Sequence, residues 1–158
     1  MWKAPISLEL NPRNKYLISS KLKQVLYNRG LKSINELEEF INPSPLPDPS
    51  DHFPDLNKAS TRVINAIENN DEIAICGDYD ADGMTSTALI VDVIKKAGGL
   101  PIPFIPSRVE EGYGLNTNMI DEINNKQIKL IITVDNGISA FDAIERSNEL
   151  NLDLIITD

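Results

Sequence analysis

The spacing of hydrophobic residues changes about one third of the way along the chain. Before residue 42, apolar residues recur at every third or fourth position in two short segments, which is the spacing of one face of an α-helix. Ser33 and Glu36 have the spacing of a capping box, which marks the start of the second helix. We therefore predict a small helical N-terminal arm over residues 1–41.

A proline-rich segment follows the arm. Residues 42–55, NPSPLPDPSDHFPD, contain five prolines. Proline has no N–H to donate and a fixed φ angle, so this segment forms neither a helix nor an interior strand. We predict that residues 42–55 are a connector between the arm and the rest of the chain.

From residue 56 onward, four short apolar segments alternate with segments of helical spacing. Apolar strands of this length, separated by helices, are typical of a parallel sheet. The predicted fold class is therefore α/β, a parallel sheet with helices on both faces. The predicted strands are EIAIC (72–76), IPFI (102–105), KLIITV (129–134) and LDLIIT (152–157), and the predicted helices are 56–69, 84–97, 117–125 and 139–150, the last with Ser139 as its cap.

Composition narrows the class of protein. Hydrophobic residues make up 41% and charged residues 25% of the 158 residues, which is ordinary for a soluble globular protein. No apolar run approaches the length of a transmembrane helix, and the N-terminus lacks the apolar stretch of a signal peptide. We therefore predict a cytoplasmic protein with no membrane association. The single Cys76 excludes an internal disulfide and a zinc site built from cysteine pairs.

The net charge of −9 is unevenly distributed. Residues 1–32 contain seven basic side chains and one acid, whereas the rest of the chain is strongly acidic. The basic residues of the arm are suited either to a polyanion or simply to solvation of an exposed helix face. The acidic remainder would repel nucleic acid unless cations or basic residues intervened.

Five aspartates follow the ends of three predicted strands. In the stretch ICGDYDADGMTSTALI, three of them occupy alternate positions directly after the first strand. The carboxyl ends of parallel strands line one edge of the sheet, where ligands bind in folds of this class, so the five should gather at one rim. They are Asp78, Asp80 and Asp82 after EIAIC, Asp135 after KLIITV and Asp158 after LDLIIT.

Mutual repulsion of these carboxylates predicts a metal site. Two carboxylates about 7 Å apart repel each other by about 0.6 kcal/mol in water, and by more in a partly buried cleft. A helix N-terminus offsets only about 0.3 to 1 kcal/mol of this repulsion. Divalent cations would neutralise it, and ligation by oxygen alone indicates Mg²⁺ or Mn²⁺. Thr85, Ser86 and Thr87 offer hydroxyls and amides to an anion at the start of the next helix, which together with metals favours a phosphate ester as substrate.

Three other interpretations use the same residues. A calcium-binding EF-hand loop is excluded, because Leu89 stands where that loop needs glutamate and a strand precedes the acids. The run Asp80-Ala-Asp82-Gly83 also resembles the nucleophile motif of haloacid-dehalogenase-type phosphatases, with Met84 in place of that motif's threonine or valine. A third hypothesis is a non-catalytic α/β module that binds a divalent metal for structural reasons.

Four segments, in order, resemble a known family. GDYDADGMTSTAL, IPSRVEEGYGLN, ITVDNGIS and IITD together resemble the N-terminal half of the DHH phosphoesterase domain, a Rossmann-like half domain, as found in the RecJ family of exonucleases. The resemblance extends from about residue 60 to the end of the chain. It implies a two-metal, Mn²⁺- or Mg²⁺-dependent hydrolysis of phosphodiester bonds. It also implies 5′-to-3′ digestion of single-stranded DNA in DNA repair and recombination.

The resemblance implies roles for individual acids. Asp80 and Asp82 match the metal ligands of the family's first motif, and Asp135 matches the ligand of the second, so these three are the predicted catalytic residues. Asp78 is the family's leading acid and is predicted at the metal site in a supporting position. Asp158 corresponds to the first letter of the Asp-His-His triplet and is included among the predicted metal-site residues.

The resemblance is incomplete. Cys76 stands where many relatives carry histidine, and the two histidines of the triplet do not follow Asp158. The later ligand aspartate, the DHHA1 domain and the oligonucleotide-binding domain of the family are also absent from the sequence. We therefore expect residues 56–158 to be a truncated N-terminal part of the DHH domain that binds metal weakly. Little or no nuclease activity is expected from it alone, because two-metal hydrolysis needs both cations fixed about 4 Å apart.

Two further segments are candidates for substrate contact. In PSRVEEGYGLN, Arg108 is predicted to bind phosphate and Tyr113 to stack on a base, although a structural turn explains the same loop equally well. Asn136 is predicted to contact the substrate beside Asp135, and a simple chain turn at Gly137 is the alternative.

Overall fold

The computed structural model describes residues 18–43, 48–107 and 113–158. The chain divides into two compact units, Met1–His52 and Phe53–Asp158. The division lies inside the proline-rich segment. Arg108 and the start of the predicted first helix lie outside the described residues.

The described residues of the first unit form two short helices, α1 (Ser20–Asn28) and α2 (Ile34–Ile41), and a 3₁₀ turn at Pro49–Asp51. The predicted capping box of α2 is confirmed. The Glu36 N–H donates to the Ser33 hydroxyl oxygen at 3.2 Å, and the Ser33 N–H donates to the Glu36 carboxylate at 2.7 Å. The second helix therefore begins where the Ser33 and Glu36 side chains accept hydrogen bonds from backbone N–H groups that have no partner within the helix.

The second unit is a four-stranded parallel sheet with helices between the strands. The strand order is β2-β1-β3-β4, and every pairing is parallel. This confirms the predicted α/β class. The elements are α3 (Leu56–Glu68), β1 (Glu72–Cys76), α4 (Ala81–Lys96), β2 (Leu100–Phe104), α5 (Thr117–Asn125), β3 (Leu130–Val134), α6 (Phe141–Glu149) and β4 (Asp153–Thr157).

Alternate residues of the strands pack against helices on opposite faces of the sheet. On one face, Ile73 and Ile75 of β1 pack in a core cluster with residues of α3 and α4. On the other face, Ala74 and Cys76 belong to a second cluster built with residues of α5 and α6. All four of these β1 residues are fully buried, so the central strand is covered on both sides as predicted.

In the second unit, the predicted and observed boundaries differ most at the starts of α4, β2 and α6. Helix α4 begins three residues earlier than predicted, because the Asp80 side chain accepts hydrogen bonds from the first-turn N–H groups and caps the helix. Strand β2 begins at Leu100 instead of Ile102, because it pairs with β1 over its whole length. The prediction of Ser139 as the cap of α6 is wrong: Ala140 holds the cap position, with no side-chain hydrogen bond.

Within the part of the chain that the structure describes, none of the helices combines the length and apolar character needed to cross a bilayer.

Candidate metal centre

The strand order creates a site at the carboxyl ends of β1 and β3. From β1 the chain moves to β2 on one side, and β3 then pairs with β1 on the other side. Ligands of open parallel sheets bind at such a reversal, outside the carboxyl ends of the two central strands. Asp78 and Asp80 follow β1, and Asp135 follows β3, so the acidic residues lie at the reversal.

Asp78 is a buried carboxylate with one unsatisfied oxygen. Its side chain is completely buried. Its Oδ1 accepts a hydrogen bond from the Asp80 N–H at 3.2 Å, whereas its Oδ2 has no hydrogen-bond partner among the described residues. A buried charged oxygen without a partner is strongly unfavourable, and a bound cation would satisfy it.

Close packing by two glycines holds Asp78 in place. A Cβ added to Gly83 would overlap Asp78 Oδ1 and would lie 2.8 Å from the Asp78 nitrogen. A Cβ on Gly77 would overlap the Thr87 hydroxyl, which itself donates to the Gly83 carbonyl at 2.7 Å. The first turn of α4 therefore approaches the end of β1 at a distance that only glycine permits.

Asp80 joins the acidic cluster to the N-terminus of α4. Its Oδ1 accepts hydrogen bonds from the N–H groups of Asp82 at 2.9 Å and Gly83 at 3.0 Å. Asp82 lies exposed in the first turn of the helix. The Thr85 and Thr87 hydroxyls, which the sequence suggested as anion contacts, donate to helix carbonyls instead.

Asp135 occupies a left-handed turn after β3. Its φ angle is 59°, and its N–H donates to the Thr157 carbonyl at 3.0 Å. Burial raises the pKa of Asp135, and repulsion by the other four aspartates of the rim raises it further. Each of the other four aspartates therefore lies near enough to Asp135 to act on its carboxylate electrostatically.

Three of the five acids come together closely enough to share one ion. Asp78, Asp80 and Asp135 each offer a carboxylate oxygen within 4.8 Å of the others. Asp82 and Asp158 are not part of this group, and the Asp158 carboxylate accepts a hydrogen bond from the Ile138 N–H at 3.0 Å. Three carboxylates, one with an unsatisfied buried oxygen, fit a hard divalent cation such as Mg²⁺ or Mn²⁺.

Cys76 is unsuited to metal binding in this arrangement. The residue is fully buried in the apolar cluster beneath α5 and α6. Burial raises the pKa of its thiol, so the sulfur keeps its proton at neutral pH. Cys76 therefore contributes to the core instead of to the ligand set.

The side chains of the predicted substrate contacts have different environments. Tyr113 is 59% exposed, and its ring meets that of Tyr79 edge to face at 5.7 Å. The nearby Asp78 carboxylate raises the pKa of Tyr113 to about 12. Asn136 is buried, and its side-chain amide is hydrogen-bonded to backbone groups. Only its backbone is left for the predicted substrate contact. The contact between Tyr79 and Tyr113 was not predicted from the sequence. The alternating aspartates around Tyr79 were the feature that was interpreted there.

An open cleft of about 370 Å³ adjoins the acidic group. It lies between the loop before α5 and the turn after β3. Its polar and apolar walls are suited to a ligand that combines a charged group with a flat apolar one. The lining residues are Tyr113, Gly114, Leu115, Asp135, Asn136, Gly137, Ser139, Ala140 and Asp158.

The raised pKa of Asp135 predicts a pH-dependent stability of the metal-free protein. In the folded chain Asp135 keeps its proton to a higher pH than in the unfolded chain. The free energy of unfolding therefore falls as the pH rises from the ordinary pKa of the group through the raised one. We expect Asp135→Asn to gain stability relative to the unsubstituted chain as the pH rises from about 3 to 7. Urea denaturation across this pH range measures the difference, and a difference that is constant with pH would contradict the prediction.

Comparison with known proteins identifies the family of this acidic site. The DHH family, N-terminal domain, matches residues 72–158, a range that contains all five aspartates. The single-stranded-DNA-specific exonuclease RecJ of Escherichia coli is 36% identical over 138 residues, covering 87% of this chain and 23% of the relative. RecJ of Bacillus subtilis is 42% identical over 103 residues, covering 65% of this chain and 13% of the relative. The chain thus spans less than a quarter of the length of these two proteins.

Solved structures give the same result. A crystal structure of exonuclease RecJ bound to manganese has a TM-score of 0.60 and 36% identity, covering 65% of this chain and 26% of that one. RecJ of Thermus thermophilus in complex with Mn²⁺ also has a TM-score of 0.60, with 27% identity over 84% of this chain and 18% of that one. The dehalogenase-type interpretation is not favoured, because Asp82 lies outside the group of three acids and every one of these relatives is an exonuclease. The chain therefore belongs to the DHH family, and RecJ exonucleases are among its relatives.

Proposed function

We propose that this chain supplies part of the metal centre of a manganese-dependent exonuclease that hydrolyses single-stranded DNA. The observation that carries the proposal is the group of three carboxylates, Asp78, Asp80 and Asp135, within 4.8 Å of one another at the switch point of the sheet. The names of the relatives support the substrate, and the manganese complexes of RecJ support the ion.

The proposed role of the three acids is to hold one divalent cation. A bound cation of this kind would polarise a phosphodiester group and lower the pKa of a coordinated water. Asp80 also caps α4, so its carboxylate is held in a fixed orientation by two N–H groups. The buried oxygen of Asp78 would gain the partner that it lacks. Two-metal hydrolysis requires a second cation, and we propose that residues of the intact enzyme outside this chain complete its site.

The proposed substrate contacts lie around the cleft. Tyr113 is exposed at the edge of the cleft that contains Asp135, where a base of single-stranded DNA can stack on its ring. Arg108, outside the described residues, remains a predicted phosphate contact. Stacking on an aromatic ring is independent of base identity, which suits an exonuclease that digests any sequence. The proposed setting is DNA repair and recombination in the cytoplasm, with digestion from the 5′ end.

Binding of Mn²⁺ to the purified chain is the first test of this function. Electron paramagnetic resonance measures the free hexaaqua ion, whose signal should decrease as the chain is added. We expect Asp80→Asn to weaken the binding by at least about 10-fold, because the acid removed is a ligand. Glu122→Gln on α5, which removes an equal charge from an exposed ion pair, should bind Mn²⁺ like the unsubstituted chain. Equal binding by the two variants would contradict the proposed site.

Substrate class is tested in a chimaera. The 138 matched residues of this chain would replace the corresponding 23% of E. coli RecJ. Release of nucleotides from labelled single-stranded and duplex DNA would then be compared with Mn²⁺ present. We expect the single strand to be digested and the duplex to be spared. A chimaera that is folded by circular dichroism and binds Mn²⁺ but digests neither DNA would favour a non-catalytic metal-binding module instead.

A further inference from the structure

The turn after β3 has an unusual backbone. Asp135 has a φ angle of 59° and Gly137 a φ angle of 118°, so two of three consecutive residues are left-handed. A residue with a side chain is held in this region only when the surrounding structure requires it. A Cβ on Gly137 would lie 2.9 Å from the Thr133 hydroxyl, so the turn also folds back tightly on its own strand. Something must stabilise the residue between them.

Asn136 is that residue, and its buried side chain makes three hydrogen bonds to backbone groups. The Nδ2 amide donates to the Val134 carbonyl at 2.9 Å and to the Cys76 carbonyl at 3.1 Å. The Oδ1 accepts from the Leu115 N–H at 3.0 Å. Only 4% of the residue is exposed, so these bonds are shielded from competing water.

The three partners of Asn136 belong to three different segments of the chain. Cys76 ends β1, two residues before Asp78. Val134 ends β3, directly before Asp135. Leu115 lies in the loop that presents Tyr113, and its neighbour Gly114 approaches the Asn136 side chain so closely that a Cβ there would lie 3.2 Å from Oδ1. One side chain therefore connects both acid-bearing turns and the aromatic wall of the cleft.

We propose that Asn136 is a positioning residue that sets the separation of the Asp135 and Asp78 carboxylates and couples the Tyr113–Leu115 loop to metal binding. The inference rests on the proposed metal centre but concerns a residue that does not itself touch the ion. Groups that orient metal ligands through hydrogen bonds affect metal affinity by about 10- to 100-fold when they are removed. Binding effects are reciprocal. If the ordered Tyr113–Leu115 loop favours ion binding through Asn136, a bound ion must in turn stabilise that loop.

The substitution test compares Asn136→Ala with Ser147→Ala in the 158-residue chain. Ser147 is equally buried, and its hydroxyl donates to the Ile144 carbonyl at 2.8 Å in α6, so its loss weakens the same unit without touching the connection. We expect Mn²⁺ affinity, measured by paramagnetic resonance, to fall by about 10- to 100-fold in the first variant. The control should bind like the unsubstituted chain. Equal affinity in folded Asn136→Ala and the unsubstituted chain would overturn the inference.

A measurement on the unsubstituted chain keeps the test independent of whether the variant folds. Hydrogen exchange of the peptide that contains the Leu115 amide would be followed by mass spectrometry with and without Mn²⁺. We expect exchange to slow by about 5-fold or more when the ion binds. Binding of Mn²⁺ without any change at Leu115 would overturn the coupling while leaving the metal centre intact. A chain that binds no Mn²⁺ at all would overturn the proposed function itself, and this inference with it.

Discussion

Replacing Asp135 by asparagine should weaken Mn²⁺ binding by at least about 100-fold while leaving the metal-free protein as stable as before, or more so. The two effects have opposite signs because the same charge attracts the ion and repels its neighbours. Burial and repulsion by four aspartates raise the pKa of Asp135, so its negative charge is unfavourable when no cation is present. Asparagine has nearly the same shape and tolerates the left-handed φ angle of 59° at this position.

The comparison requires a variant with the same loss of charge elsewhere. Asp92→Asn on α4 serves, because Asp92 pairs with Lys96 on the exposed side of the helix and is outside the acidic group. Isothermal titration with Mn²⁺ and urea denaturation without it would be performed on both variants. An Asp135 variant that loses stability as well as affinity would show that the acid supports the fold of the turn, and the electrostatic explanation would be wrong.

The position of the site could be predicted because it depends on regularities of parallel sheets. The strand predicted at 72–76 is observed at Glu72–Cys76, since a short β-branched run between turn residues has few alternatives. Once such strands are parallel, the acids that follow them share an edge. The meeting of Asp80 and Asp135 follows from that topology, without knowledge of any side-chain conformation.

The contacts that refine the site could not be predicted, because they connect distant parts of the sequence. Asn136 bonds to residues 60 and 21 positions away, and no local pattern records such partners. The prediction of Ser139 as the cap of α6 was wrong because a turn at Gly137, in which the Ala140 N–H donates to the Gly137 carbonyl at 3.0 Å, leads into the helix. Local propensity at a helix start gives way where the backbone is held by packing.

Gly83→Ala should destabilise the second unit by at least about 2 kcal/mol, although alanine ordinarily stabilises a helix by about 1 kcal/mol relative to glycine. The added methyl would overlap Asp78 Oδ1 and lie 2.6 Å from its Cγ. Asp78 is completely buried, so its carboxylate cannot move aside without displacing β1 or α4. Because the same carboxylate belongs to the acidic group, Mn²⁺ affinity should fall together with stability.

A double-mutant cycle identifies the overlap as the cause. Asp78→Ala removes the two side-chain atoms nearest the new methyl and keeps the Asp78 nitrogen at 2.8 Å. The combined variant should therefore be less destabilised than the sum of the two single variants, with a coupling of about 1 kcal/mol or more. Ser86→Ala, in the same helix but half-buried, should change the free energy of unfolding by less than about 0.5 kcal/mol. Additive effects of Gly83→Ala and Asp78→Ala in urea denaturation would mean that the helix and the buried acid are not in contact. The close approach of α4 to the metal centre would then be wrong.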